Sequence, residues 1–505
     1  MNNTLILGSA IVALLASLWM RWRYKNHRLL ELSRQLPGPV ALPVLGNAMH
    51  FICKPEEMAL IIEKLLKEYG AWFRFWLGPE LNVIISDPDD LKTILSNPKM
   101  SAKGPTYKYM ASLLGEGILS GSGPKWRRHR KIANPNYGKR AIEGYEQVFN
   151  TEIDVLMETF RHSPYGRKID VYHNIVRHTS YTVCQTLMGL SRDETVNLPH
   201  MRDVIHYSPK VYDVVFDRMT KWWYQIDPVF WLSSHFRLQT KFKKMMDAFS
   251  SEIVKHRRTK LEEDNRRIDL LDIEEDSSKN TEFSVIDRFI LCKELNENEL
   301  RDETFTIFTS SQEASAKISS SLILMMAYHP HCQEKLHAEI QSIVAEDRHV
   351  TDDDLKRMPY LDMAYKETLR LFPIGALLQR TVTEDIPFSK GVLPAGCSLT
   401  APIFHLHRSP QFWDNPNAFN PERFTPENSK KRQPNCYIPF SVGPMDCLGR
   451  YFGTKLIKTI CVRFLREFEV TAVNKFEDMR MNIAISASPI DGYSLIMKPR
   501  KPLLN

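Results

Sequence analysis

The stretch Phe440-Ser441-Val442-Gly443-Pro444-Met445-Asp446-Cys447-Leu448-Gly449 decides how this chain is read. One cysteine stands between two glycines, with a phenylalanine seven positions upstream. An apolar helical pattern follows at once in Tyr451, Phe452, Leu456, Ile457, Ile460, Phe464 and Leu465. The layout predicts a thiol at a helix N-terminus, where backbone N–H groups and the helix dipole favour thiolate over thiol. The glycines let the backbone pass close to something flat and bulky. Taken alone, a free cysteine is more often a small buried hydrophobe. The rest of the chain therefore has to decide the role of Cys447.

At 505 residues the chain can bury a large core. Hydrophobic residues make up 43% and charged ones 25%, which reads as a globular body. The formal net charge of +7 is modest, and no basic run interleaved with aromatics points to nucleic acid. The eight cysteines are scattered singly, without CxxC or Cys/His zinc spacing. That pattern suits free thiols in a reducing compartment better than a disulfide framework.

The N-terminus stands apart. Leu5 to Met20 is apolar or small throughout, and the first charge is Arg21, followed by Arg23, Lys25 and Arg28. A secretory signal places its charges before the apolar run. Here they come after it, which predicts an uncleaved single-span anchor over residues 1–22 and a body on the cytosolic side. Residues 23–44 read as a basic flank and a stiff hinge, Leu36-Pro37-Gly38-Pro39-Val40-Ala41-Leu42-Pro43. Residues 45–505 read as one large domain.

Within that domain the spacing predicts a helix around Glu56–Tyr69 and short strands at Trp72–Leu77 and Leu81–Ser86. Helical patterns dominate from Lys92 to Leu378, broken by a charged connector over Leu261–Lys279. A long helix is predicted from Glu299 to Tyr328, ending before Pro330. Its apolar face is interrupted by Thr309-Ser310-Ser311-Gln312-Glu313-Ala314-Ser315. A polar patch inside a long buried helix costs stability unless satisfied, so it marks a candidate site. Further on come a helix through Tyr360–Leu371, strands near Gln379–Thr383 and Cys397–Ala401, an irregular Phe412–Pro434 and a β-like tail. The expected class is mainly α with a minor β part.

Three more segments accompany Cys447. Tyr365-Lys366-Glu367-Thr368-Leu369-Arg370 puts Glu367 and Arg370 on one helix face. Phe419-Asn420-Pro421-Glu422-Arg423-Phe424 offers an arginine that could lock onto a carboxylate. Trp126-Arg127-Arg128-His129-Arg130-Lys131 supplies an indole N–H and a guanidinium one turn apart, able to reach one anion. A thiolate held like Cys447 can ligate a haem iron, and such ligation favours O–O bond cleavage.

In this order and with these spacings the chain resembles the cytochromes P-450, the haem-thiolate monooxygenases, and among them the insect branch of the fourth eukaryotic clan. The resemblance runs from the apolar N-terminus to the β tail. It implies haem b with Cys447 as axial thiolate, Phe440 packed near the sulfur, and Gly443 and Gly449 letting the loop approach the ring. It implies that Trp126, Arg130 and Arg380 bind the haem propionates, and that Glu367, Arg370 and Arg423 form a buried structural triad. Electrons would come from NADPH through a P-450 reductase, with cytochrome b5 as a second donor, at a face carrying Arg127, Arg128, Lys131, Arg450, Lys455 and Lys458. The implied location is the endoplasmic reticulum membrane, with no nucleic-acid partner.

Two departures from the family pattern stand out. Met445 occupies a position that is usually basic. Ala314 stands where the family has a threonine that helps protonate bound oxygen, while the preceding acid is kept as Glu313. Glu313 with Ser315 or Ser311 would then relay protons. Ser310 stands where some clan members carry a haem-bonding glutamate, so no such bond is expected here. The implied function is monooxygenation of a small hydrophobic molecule. The alternatives are a haem-thiolate isomerase or dehydratase acting on a peroxide, or a weakened apolar-ligand binder. The segments expected to line the pocket are Tyr107–Leu114, Val211–Phe216, Phe308–Ser315, Ile374–Leu378 and Ile485–Ile490.

Overall fold

The computed structural model describes residues 2–263, 283–344 and 348–500, with backbone alone for 2–12 and 15. Among the described residues the body is mostly helical with four small sheets, as the periodicities predict. The connector expected at 261–279 lies outside the described residues, apart from the three that end the helix Ser234–Glu263.

The central helix, Glu297–Tyr328, organises the body. Asn296 caps it, and the Glu299 side chain accepts from the Asn296 N–H, completing a capping box. Such a cap is worth about 1 kcal/mol. Phe305, Phe308, Ile318, Leu322 and Met325 are all buried. The helix is apolar on most sides because it is enclosed by neighbours, packing on the helices Tyr172–Thr186, Ser234–Glu263 and Arg450–Glu467.

A four-stranded sheet forms one flank, in the order Trp72–Leu77, Glu80–Ile85, Ser398–Ala401, Leu378–Thr381. Its first pair is a hairpin in which Leu77 faces Glu80. Only the Glu80–Ile85 and Ser398–Ala401 strands run parallel. An isolated bridge between Lys103 and Arg380 continues its edge. The β tail is divided into Met481–Ile483, Ala487–Pro489 and Ser494–Pro499, because turns interrupt the alternation. Short strands at Lys168–Asp170, Ile386–Phe388 and Gly391–Leu393 carry too few residues to show a period.

The apolar run expected as an anchor lies within a helix, Asn2–Lys25. Most of its side chains fall outside the described ones. Among the described residues no helix is long and apolar enough to cross a membrane.

Candidate functional site

The Phe440–Gly449 segment is a tight loop just before the helix Arg450–Glu467. The Cys447 N–H donates to the Phe440 oxygen at 2.9 Å, and Asp446 N–H donates to the Gly443 oxygen at 3.1 Å. Gly443 adopts φ +83°, and a Cβ there would meet the Leu95 carbonyl oxygen at 2.1 Å. Its missing side chain thus serves the fit of the loop against the Leu95–Ser96 backbone. Gly449 is different: a Cβ there would meet only Tyr137, at 3.9 Å.

The sulfur faces an interior cavity of about 490 Å³. Cys447 exposes surface to that space, yet protein surrounds it in depth. Burial pushes its thiol above the usual cysteine value. The Gly449 backbone hydrogen bond pulls the other way and loses, and the Asp446 carboxylate adds to the rise. Burial thus opposes the pull toward thiolate expected from the helix N-terminus. A bound cation would favour the thiolate against this burial.

Trp126 and Arg130, on the helix Gly123–Ala133, line the same cavity, as do Arg380 and Phe440. Arg130 donates to both the main-chain oxygen and the carboxylate of Asp446. Arg380 is buried and donates to the Gln379 oxygen at 3.0 Å. The sequence reading missed Lys103, which also lines the cavity. Burial pushes its ammonium well below the usual lysine value, and repulsion from Arg380 and Arg130 adds to the drop. Among the described residues neither Lys103 nor Arg380 has a carboxylate partner. Lys103, Arg130 and Arg380 thus converge on one wall, and among the described residues Asp446 pairs with Arg130. Such a cluster fits a ligand that brings its own carboxylates. The only signal in the sequence was a lysine ahead of Pro105, which no pattern distinguishes from a surface cation.

The polar patch of the central helix divides its faces. Glu313, Ala314 and Ser315 line the cavity, whereas Gln312 is buried against Ser180 at 3.2 Å and Thr179 bonds its main-chain oxygen. Ser315 Oγ donates to the Ser311 oxygen at 2.8 Å and Ser310 Oγ to the Thr306 oxygen at 2.6 Å. The hydroxyl proton expected from Ser315 is therefore committed to its own helix. Thr309 bonds the Tyr212 hydroxyl. Glu313 pairs with Lys317 at 2.7 Å.

Glu367, Arg370 and Arg423 stand outside the cavity. Arg370 makes a two-pronged contact with Glu367, 2.7 Å on each side, and also donates to the His407, Pro416 and Ala418 oxygens. Arg423 reaches Glu367 at 3.3 Å. Glu367 also accepts the Asn420 N–H at 2.9 Å.

Each expected pocket segment contributes to the lining: Tyr107 and Met110, Tyr212 and Phe216, Thr309 to Ser315 without Gln312, Ile374 to Leu378 without Ala376, and Ile485 with Ser486. Phe51, Met58, Phe75 and Ile84 join them from the N-terminal side. The expected basic face needs correction. Lys455 and Lys458 are buried and paired, to Glu146 at 2.9 Å and Asp362 at 2.7 Å. Their helix is enclosed, so its cations point inward to carboxylates of neighbouring helices. Arg127, Arg128 and Lys131 are exposed.

Comparison with known proteins points one way. The family model described as Cytochrome P450 matches residues 36–497. The chain is 29% identical to Cytochrome P450 4d10 of Drosophila mettleri, over 96% of this chain and 93% of that protein. It is 28% identical to Cytochrome P450 4c3 of Drosophila melanogaster, over 98% and 94% respectively. With Cytochrome P450 4c21 of Blattella germanica the identity is 27%, over 99% and 100%.

Proposed function

This chain belongs to the cytochrome P450 family, and we propose that it inserts one oxygen atom from O2 into a small hydrophobic substrate, with Cys447 as the axial ligand of its haem b. One observation carries the reading: the Cys447 sulfur and the Lys103, Arg130 and Arg380 cations line one largely apolar cavity. Haem b, when bound, supplies oxygen activation promoted by thiolate ligation.

The chain's residues divide the remaining work. Cys447 would hold the haem iron through its thiolate. Lys103, Arg130 and Arg380 would hold the two propionates, with the Trp126 indole N–H as a further donor. Lys103 supplies the contact that Met445 cannot. Met110, Ile118, Leu119, Phe216, Ile374 and Leu378 exclude water and hold an apolar substrate. Glu313 holds and passes protons on the central helix wall, with Ser315 Oγ as an acceptor. Glu367, Arg370 and Arg423 brace the chain that leads into the cysteine loop.

Electrons come from NADPH through an acidic reductase that docks on Arg127, Arg128 and Lys131, with cytochrome b5 as a second donor. The apolar run Leu5–Met20, followed by Arg21, Arg23 and Lys25, tethers the body to the cytosolic face of the endoplasmic reticulum membrane. The reduced, carbon monoxide-bound protein should absorb at the wavelength that gives the family its name, and Cys447→Ser should abolish that band. A band that survives Cys447→Ser refutes the assignment of the ligand.

A further inference from the structure

Glu303 is fully buried in the second turn of the central helix, and each of its carboxylate oxygens holds a different element. Oε2 accepts the Ile118 N–H at 3.0 Å. Oε1 shares a hydrogen bond with His129 Nδ1 at 2.6 Å. The His129 ring is itself buried, edge-on to Phe289. Burial pushes the Glu303 carboxyl up from its ordinary value, and the bonds to His129 and Ile118 are the main pulls back.

The two partners belong to different walls of the cavity. Ile118 and Leu119 line it from the irregular stretch that joins the helices Tyr107–Leu114 and Gly123–Ala133. Trp126 and Arg130 line it from the helix that carries His129. Glu303 is not itself part of the lining. The irregular stretch is shaped to sit on the central helix. A Cβ on Gly115 would run into the Asp302 carboxylate, and one on Gly117 would meet the Thr306 hydroxyl at 2.5 Å and Glu303 Oε2 at 3.1 Å. The Ser120 and Gly121 N–H groups fold back onto the Gly117 oxygen at 3.1 and 2.7 Å. A carboxylate without exposed surface has no bulk water to replace a partner that moves away. A shift of either wall therefore disturbs the anchor of the other.

We propose that Glu303 is a positioning residue that couples the apolar wall at Ile118–Leu119 to the cation wall at Arg130. Order in the stretch that shapes the substrate space and order in the helix that presents the guanidinium then depend on each other through one carboxylate. Only the identity of the anion held at Arg130 rests on the haem reading proposed above.

Two measurements on the full-length protein test this. The first reads the rate at which haem passes from the loaded protein to an excess of haem-free myoglobin. Glu303→Leu should speed that transfer about tenfold, and Glu303→Gln should restore most of the loss. The glutamine oxygen can accept the Ile118 N–H while its NH2 donates to the other tautomer of His129. In an Arg130→Ala background Glu303→Leu should add about twofold or less, because its effect runs through that guanidinium. Equal effects in the two backgrounds, or no rescue by glutamine, overturn the proposal. If Glu303→Leu does not fold, His129→Leu enters the same cycle with the same expectations, the glutamine arm apart. The second measurement is hydrogen exchange of the haem-free protein. His129→Leu should raise exchange across residues 115–121, which it does not touch, and leave the helix Tyr107–Leu114 as in wild type. An unchanged 115–121, or an equal rise in both segments, overturns the coupling. If the chain binds no haem at all, the haem reading falls, and the exchange comparison decides the role of Glu303 by itself.

Discussion

Arg130 holds Asp446 at two points, donating from Nη1 to its main-chain oxygen and from Nη2 to its carboxylate, each at 2.6 Å. The residue held is the one that precedes Cys447, so a guanidinium on a distant helix sets the position of the sulfur. Arg130→Ala should lower haem bound per chain and broaden the spectrum of what remains. Arg130→Lys should recover little, because an ammonium cannot make the forked contact. Haem content by absorbance per mole of protein is the measurement.

Lys103 gives a pH dependence with a definite sign. Its depressed value in the folded, haem-free chain means that the unfolded chain binds more protons between that value and about 10.4, the ordinary lysine value. The stability of the haem-free protein should therefore rise with pH across that window. Lys103→Met should remove this slope, stabilise the haem-free chain at neutral pH and weaken haem retention. Denaturant melts at several pH values, paired with haem-transfer rates, check the opposing effects.

The two glycines of the loop should part company under the same substitution. Gly443→Ala forces a Cβ toward the Leu95 oxygen at a positive φ, so the haem-free fold should weaken and haem loading fall with it. Gly449→Ala meets only Tyr137 at ordinary contact distance. It should leave the haem-free melt unchanged, and any loss of haem then reports crowding by the ring.

Glu367 and Arg370 are both fully buried. Arg370→Ala leaves Glu367 charged without its main partner and should cost about 3–5 kcal/mol. Arg423→Ala should cost less, since its side chain is partly exposed and its contact longer. Unfolding midpoints in urea order the two.

The exposed cations and the buried ones of the expected electron-entry side should separate cleanly. Arg127→Ala with Arg128→Ala should slow reduction by the reductase and flatten its dependence on salt. Lys455→Met and Lys458→Met should lower stability and leave the salt dependence intact, because each is committed to an internal carboxylate. Stopped-flow reduction at two ionic strengths distinguishes the pairs.

Much of the fold was legible because its periods are long and its stops are chemical. The helix ending at Tyr328 is announced by Pro330, and the hairpin by Gly78 and Pro79. The polar interruption at Thr309–Ser315 marked a helix that lines the cavity. It did not reveal that Gln312 turns away toward Ser180, because a patch read along a line carries no angle. Lys103 and Lys317 were invisible for a related reason. A lysine acquires meaning in a cavity only through the partners that three-dimensional folding brings, such as Arg380 and Ser486. The burial that opposes ionisation of the Cys447 thiol was not legible, because a helix end is written in the local sequence, whereas burial is a property of the whole molecule.

The seating of Gly443 on the Leu95–Ser96 backbone has a consequence for biosynthesis. The N-terminal half of that contact leaves the ribosome long before its other half is made. At roughly 5–20 residues per second, the chain spends tens of seconds with its sulfur-bearing loop still unsynthesised. The cofactor therefore meets a finished site only at the close of translation, and its insertion reports that the first and last thirds of the polypeptide have found each other.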